Sequence, residues 1–138
     1  MKVLFLCTGN SCRSQMAEGW GEKLLAGKAE VFSAGTKPGT VDPRAIKVMS
    51  EAGVDISGHR SKHADELKGT AFDLVVTVCD NAREACPVWF GKVKKLHKSF
   101  EDPPFLAKEA KSEEEALNHY RRVRDEIRAF VAGLKGDL

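Results

Sequence analysis

Apolar residues fill positions 3 to 6 without a break and stop at Cys7, where a small polar loop begins. A run of this kind, bounded by turn residues, predicts a buried strand over Lys2 to Leu6. A helix is expected next, from Ser14 to Ala26. The stretch "EVFSAG" predicts a second strand over Val31 to Ala34, closed by Gly35. "TVDPRAIKVMSEAG" carries helix punctuation, with Asp42 as cap, Pro43 at the first helical position and Gly53 as stop. A shorter helix is expected over His63 to Leu67. Phe72 to Val78 is a continuous apolar run with β-branched residues, as in a strand covered on both faces, and it runs into Cys79. Val93 to Leu96 is a further strand pattern. Lys98 to Lys111 shows no period, and Pro103-Pro104 predicts irregular chain there. Ser112 and Glu115 form a capping-box pattern. After it, Leu117, Tyr120, Val123, Ile127, Phe130 and Leu134 fall at helical spacing along a long final helix.

Strands alternating with helices predict an α/β domain with a parallel sheet. With 138 residues and no repeat, low-complexity tract or linker, one domain over 1–138 is expected. A chain of that length buries roughly two-thirds of its unfolded surface. The composition, 42% hydrophobic and 30% charged, is ordinary for a globular protein, and a net charge of +2 gives no ground for nucleic-acid or membrane attraction. No apolar stretch approaches a bilayer span, and the apolar start is too short for a signal-peptide core, so a cytoplasmic setting is expected. Structural disulfides are rare there, which leaves four cysteines to explain. Cys7 and Cys12 are separated by four residues, Cys79 and Cys86 by six. Neither spacing matches a zinc knuckle, so no metal or cofactor is expected. Redox or nucleophilic chemistry is the better account.

The stretch "VLFLCTGNSCRSQM" carries that chemistry. A strand–loop–helix unit aims loop N–H groups and a helix N-terminus at one spot that suits an oxyanion. Thr8, Gly9, Asn10, Ser11 and Cys12 form the loop, small enough to curl around a tetrahedral anion. Arg13 adds a permanently charged fork for two oxygens. Cys7 sits beneath in a positive field that favours the thiolate, and Ser14 can donate a hydrogen bond to its sulfur. A bare C-x5-R pattern is weak evidence; following an apolar strand and preceding a helix, it reads as a phosphatase-type anion loop. A leaving oxygen then needs a proton donor. Asp102, in "FEDPPF", is the candidate, since the proline after it holds it extended and projecting.

"CTGNSCRSQMAEGW", together with "FSAG", "DISGH", "DLVVTVC", "CP", "EDP" and "RVRDEI", resembles the thioredoxin-coupled arsenate reductases, which share the fold of the low-molecular-weight protein tyrosine phosphatases. The resemblance runs from Lys2 to the end of the last helix. It implies a four-stranded parallel sheet flanked by helices on both faces, and arsenate as the substrate with phosphate as its analogue. It also implies a role in arsenic detoxification, with thioredoxin as electron donor. Arsenate reduction needs two electrons, which thiols supply by ending as a disulfide. In the resembled family three matching cysteines act in relay. Cys7 takes arsenate as a thiol adduct while Asp102 protonates the departing oxygen. Cys79 attacks Cys7 and releases arsenite, and Cys86 attacks Cys79 and passes the disulfide to thioredoxin. Cys79 ends a strand, as Cys7 does, so both sulfurs belong at one sheet edge. Cys86 follows across "DNAREA", expected to be helical. Cys12 is read as loop packing, and Asn10 matches a loop-organising asparagine.

Two alternatives stand beside this reading. A tyrosine phosphatase would use the same Cys7, Arg13 and Asp102, but Pro104 stands where that family carries an aromatic residue. An oxyanion sensor would bind arsenite through three thiols without turnover. Trp20 is read as core, and Trp89 as packing or a thioredoxin-docking residue. His63, His97 and His119 are read as surface or capping residues. Many family members hold potassium behind the loop with residues matching Asn10, Glu18 and Ser33. Two further ligand positions are here Arg60 and Lys62, and this departure from the family predicts no potassium, with a tethered cation or a lost site in its place.

Overall fold

The computed structural model describes residues 1–80, 89 and 91–138. Four strands form one all-parallel sheet in the order β2-β1-β3-β4: β1 Lys2–Cys7, β2 Glu30–Gly35, β3 Leu74–Thr77 and β4 Lys94–His97. Between and after them come α1 Arg13–Leu24, α2 Pro43–Glu51, α3 Pro103–Ala107 and α4 Glu113–Leu134, with a 3-10 turn at Ala64–Leu67. No helix among the described residues is long and apolar enough to cross a membrane.

Successive side chains of a strand point to opposite faces, and β1 shows how this divides the core. Val3, Phe5 and Cys7 join the larger cluster, with Met16 and Trp20 of α1, Met49 of α2 and Tyr120, Val123 and Ile127 of α4. Leu4 and Leu6 face the other way, onto a smaller cluster with Ala34, Phe72 and Val75. Ala64 and Leu67 of the 3-10 turn and Trp89 cover that second face. A central strand apolar on both faces is what an uninterrupted "VLFL" demands. Trp20 is core, as expected, and Trp89 packs edge-on against Phe72, with ring centroids 5.4 Å apart.

The caps anticipated in the sequence are present. Asp42 Oδ1 accepts from the Arg44 N–H at 2.8 Å to open α2, and Ser112 Oγ accepts from the Glu115 N–H at 3.0 Å to open α4. His63 caps the 3-10 turn by accepting from the Asp65 N–H at 3.0 Å. Two expectations are corrected. Pro103-Pro104 does not make the chain irregular: both prolines lie in the first turn of α3, where a helix N–H has no partner to lose and proline's fixed φ is already helical. Phe130 is also not a core position of α4. Four residues past Ile127 the buried place goes to Val131, and Phe130 lies at the rim with its ring 5.9 Å from that of Phe100.

Helices α2 and α4 are tied together by polar contacts over this core. Arg121 of α4 grips Glu51 of α2 through two nitrogens, at 2.9 and 2.8 Å. The Tyr120 hydroxyl donates to Asp42 Oδ2 at 2.5 Å, and burial with that contact pushes the phenol well above its ordinary value. Tyr120→Phe leaves the part-buried cap carboxylate short of a donor. We expect a loss of about 2 kcal/mol in urea unfolding, with an unchanged m-value.

Candidate active site

Strand β1 ends on Cys7, which is 2% exposed, and the chain turns at once through residues 8–12 into α1. The turn depends on Asn10, the one non-glycine among the described residues with positive φ (47°). Asparagine tolerates this left-handed conformation better than most side chains. The bend brings the Asn10 N–H to 3.2 Å from Cys7 Sγ, as donor. Ser14 Oγ lies 2.9 Å from the same sulfur. Asn10 Nδ2 donates to Ser14 Oγ at 2.7 Å and to Ser33 Oγ at 3.0 Å. With its oxygen accepting there, the Ser14 hydroxyl keeps its own proton for Cys7.

The loop's carbonyls turn out to the scaffold. Thr8 O accepts from Lys37 N at 2.9 Å, Gly9 O from Ser61 Oγ at 3.2 Å and Ser11 O from Asp42 N at 2.8 Å. Arg13 opens α1, where the first-turn N–H groups have no partner within the helix. It is 4% exposed, donates to Phe100 O at 3.2 Å and has Nε 3.6 Å from Asp102 Oδ1. Asp102 stands extended before Pro103 (φ −90°, ψ 105°); its side chain does not cap α3 but turns to Arg13, 32% exposed to solvent. The structure therefore gathers Cys7, Arg13, Ser14 and Asp102 around one loop. Such a cluster can hold an oxyanion, attack it through sulfur and return a proton. Cys12, buried in the same loop, is a different thiol. Burial first, then Asp42 and Asp102, push it well above its ordinary value and keep it protonated.

The parallel register sets Leu6 opposite Thr77, and the Val78 N–H donates to Leu6 O at 2.9 Å. Fully buried Cys79 follows directly, one residue beyond the level of Cys7 on the neighbouring strand. Cys86 and most of the "DNAREA" segment lie outside the described residues.

Several residues of the site were not anticipated from sequence. Gly35 was read only as a strand end, yet it pairs with Cys7 across the sheet. A Cβ on it would lie 2.5 Å from Thr8 O and 2.9 Å from both Asn10 N and Cys7 O. Gln15 Nε2 donates to Asn10 O at 3.1 Å and Asn10 Oδ1 at 3.0 Å, while Gln15 Oε1 meets His59 Nδ1 at 3.0 Å. Lys62 N donates to Asn10 Oδ1 at 2.9 Å. Gln15 acts within one turn of the loop, whereas Gly35, His59 and Lys62 reach it from segments far apart in the chain, which no local motif marks.

The residues matching the resembled family's potassium ligands do assemble. Ser33 Oγ donates a short hydrogen bond to Glu18 Oε1 and accepts from Asn10. Lys62 Nζ, however, lies 3.9 Å from Glu18 Oε1, with side chains 15% and 13% exposed, whereas Arg60 turns out to Glu66 at 2.7 Å. Burial pushes the Lys62 amine below its ordinary value, and Glu18 works against that shift. This set does not fit an alkali ion, since two cations would have to share one largely buried carboxylate.

Gly35→Ala tests how tightly the sheet supports the loop. The methyl group has only backbone to meet, so we expect about 1–3 kcal/mol of destabilisation in urea unfolding. Inorganic phosphate, titrated by calorimetry, should bind at least about tenfold more weakly, because the loop must move to admit the methyl.

The family model for low molecular weight phosphotyrosine protein phosphatases matches residues 2–138. Arsenate reductase 2 of Staphylococcus haemolyticus is 45% identical over 133 residues, which is 96% of this chain and 95% of that protein. A solved arsenate reductase in the phosphate binding state superposes with a TM-score of 0.82 at 34% identity, covering 99% of this chain and 97% of the other. A thioredoxin-dependent arsenate reductase of Corynebacterium glutamicum gives a TM-score of 0.68 at 25% identity, over 99% of this chain and 63% of the other. Matched along nearly its whole length and sharing the all-parallel sheet, the chain belongs to the low molecular weight phosphotyrosine protein phosphatase family.

Proposed function

We propose that this protein is an arsenate reductase, acting as one domain in the reducing cytoplasm, that works by a three-cysteine relay and returns to its starting state through thioredoxin. One observation supports the reading: buried Cys79 lies two residues past the end of β3, one residue beyond the level of Cys7, and is disulfide-bonded. Phosphoester hydrolysis has no use for a second thiol there. Arsenate reduction requires one, because two electrons must leave sulfur. The arsenate reductases among its relatives support the same choice.

In this scheme the loop over residues 8–12 and Arg13 hold arsenate against Cys7. The thiolate forms a sulfur–arsenic bond as one oxygen leaves with a proton from Asp102, 3.6 Å from Arg13. Ser14, within 2.9 Å of the sulfur, steadies the thiolate before attack and whenever it leaves. In the protein with its Cys79 disulfide reduced by thioredoxin, the Cys79 thiol then attacks Cys7 Sγ, and the electron pair of the sulfur–arsenic bond passes to arsenic. Arsenic leaves as arsenite, two electrons richer, and a Cys7–Cys79 disulfide remains. Attack by Cys86 on Cys79 frees Cys7 and carries the disulfide to thioredoxin, as the name of the Corynebacterium relative supports. The same Cys7, Arg13 and Asp102 suffice for slow hydrolysis of an aryl phosphate, a side reaction we include in the proposal.

Cys7→Ser is expected to lower both arsenate reduction and aryl phosphate hydrolysis on the order of 10³-fold or more, since both pass through one nucleophile. Coupled thioredoxin oxidation and release of the phenol measure the two; substantial arsenate turnover by the variant would remove Cys7 from the scheme. Cys86→Ser is expected to reduce one arsenate per chain and stop, with a Cys7–Cys79 disulfide seen by mass. Cycling with thioredoxin at the parent rate would show that another thiol resolves the disulfide.

A further inference from the structure

We propose that the Lys62 ammonium is a built-in cation that positions the nucleophile, acting on Cys7 through Glu18, Ser33, Asn10 and Ser14. The proposal rests on the reading of Cys7 as the attacking thiol. Its starting point is Glu18, a largely buried carboxylate on α1. A carboxylate in that position needs a cation or a proton, because an isolated buried charge is costly. Two groups stand near it. His59 Nε2 is 3.9 Å from Glu18 Oε2, but it makes its close contact with Glu22, at 2.6 Å. Lys62 Nζ is 3.9 Å from Glu18 Oε1, held there by donating to Arg60 O at 3.0 Å. The lysine thus brings the positive charge that the carboxylate lacks.

The consequence is an ordering of protons. An ionised carboxylate only accepts, so the Ser33 hydroxyl must donate to Glu18. Ser33 Oγ can then only accept from Asn10, which orients the Asn10 amide with Nδ2 toward both serines. The other end of that amide, Oδ1, accepts from the Lys62 backbone N–H at 2.9 Å. Ser14, accepting from Asn10, has its proton left for Cys7 Sγ at 2.9 Å. One residue therefore addresses both ends of the Asn10 amide, directly at the oxygen and through Glu18 and Ser33 at the nitrogen. Were Glu18 neutral, it could donate to Ser33 instead, the Ser33 hydroxyl would lose its fixed direction, and the Asn10 amide would be held at its oxygen end alone, by Gln15 and the Lys62 N–H. Lys62 touches neither sulfur nor substrate, so it is a positioning residue.

The test uses Lys62→Met, which keeps the stem and removes the charge, and the pair Lys62→Met with Glu18→Gln, which removes both charges. Each is studied with choline, sodium, potassium or ammonium chloride at one ionic strength. Two readouts are taken: the rate of Cys7 alkylation by iodoacetamide, followed by mass without arsenate, and kcat/KM for arsenate. The parent should be indifferent to the cation. Lys62→Met in choline chloride should lose about tenfold in both readouts, the usual scale for supporting groups behind a reactive centre. Potassium or ammonium should restore most of that loss by entering beside Glu18. The double variant should again ignore the cation. Parent-like alkylation of Lys62→Met in choline, a loss that no cation reverses, or a severalfold gain of the parent with potassium would each overturn the proposal. If Lys62→Met unfolds in choline, a melting temperature raised by potassium or ammonium but not by sodium supports it, and equal values in all salts overturn it. Alkylation needs no arsenate, so a parent that fails to reduce arsenate would sink the proposed function and leave this test standing.

Discussion

The left-handed turn at Asn10 is the constraint on which the site depends. A non-glycine at φ 47° is a strained choice, and it persists because the surrounding structure overdetermines it. The side-chain amide is claimed by Ser14, Ser33, Gln15 and the Lys62 backbone, and Gln15 also holds the Asn10 carbonyl. Those partners come from α1, β2 and the segment before the 3-10 turn. Three parts of the fold must be in place before the loop can aim an N–H at the Cys7 sulfur.

The sheet supplies what that hub needs. Parallel pairing brings Cys7 and Gly35 level at the carboxyl ends of neighbouring strands, and the missing Cβ at Gly35 lets the loop pack directly on β2. The Gly35 N–H donates to Lys62 O at 3.0 Å, so the segment carrying His59 and Lys62 runs alongside this edge. In an open parallel sheet the crevice beyond the strand ends is where ligands bind. Here that crevice holds the Cys7 sulfur, the guanidinium of Arg13 and the carboxylate of Asp102. Arg13 is almost wholly buried, and charges are tolerated there only with partners; Phe100 O and Asp102 provide them.

On the proposed reading, the loop suits phosphoryl and arsenyl chemistry alike, because phosphate and arsenate share shape and charge. What divides the two is sulfur outside the loop. Cys12 lies inside it yet is kept a neutral thiol by burial and two nearby carboxylates, so closeness to the anion does not make a redox partner. Cys79 owes its proposed role to register: the pairing of Leu6 with Thr77 sets it one residue beyond the level of Cys7.

Much of this protein was legible along the chain, because the forces concerned are local. The unbroken "VLFL" run required a central strand, Asp42-Pro43 and Ser112 with Glu115 marked helix starts, and the strand and loop leading into a helix at Arg13 marked an anion site. Each of these depends on residues within a turn or two of one another. Where local signals competed, reading them in isolation misled: Pro103-Pro104 breaks a helix interior but suits a first turn, and only the site of α3 against α4 decided between them. The supporting roles of Gly35, Gln15 and His59 carried no local signature, and Lys62 was marked only as one of two cations at family ligand positions. The choice between Arg60 and Lys62 as Glu18's partner was equally undetermined, since both are cations two residues apart. Packing settled it by leaving Lys62 inside with the carboxylate and Arg60 outside with Glu66. Sequence by itself determined which chemical groups were available and which elements would carry them. Tertiary structure decided which of them meet, because a contact between residues 18 and 62, or 10 and 33, depends on the path of the folded chain rather than on any propensity of its neighbours.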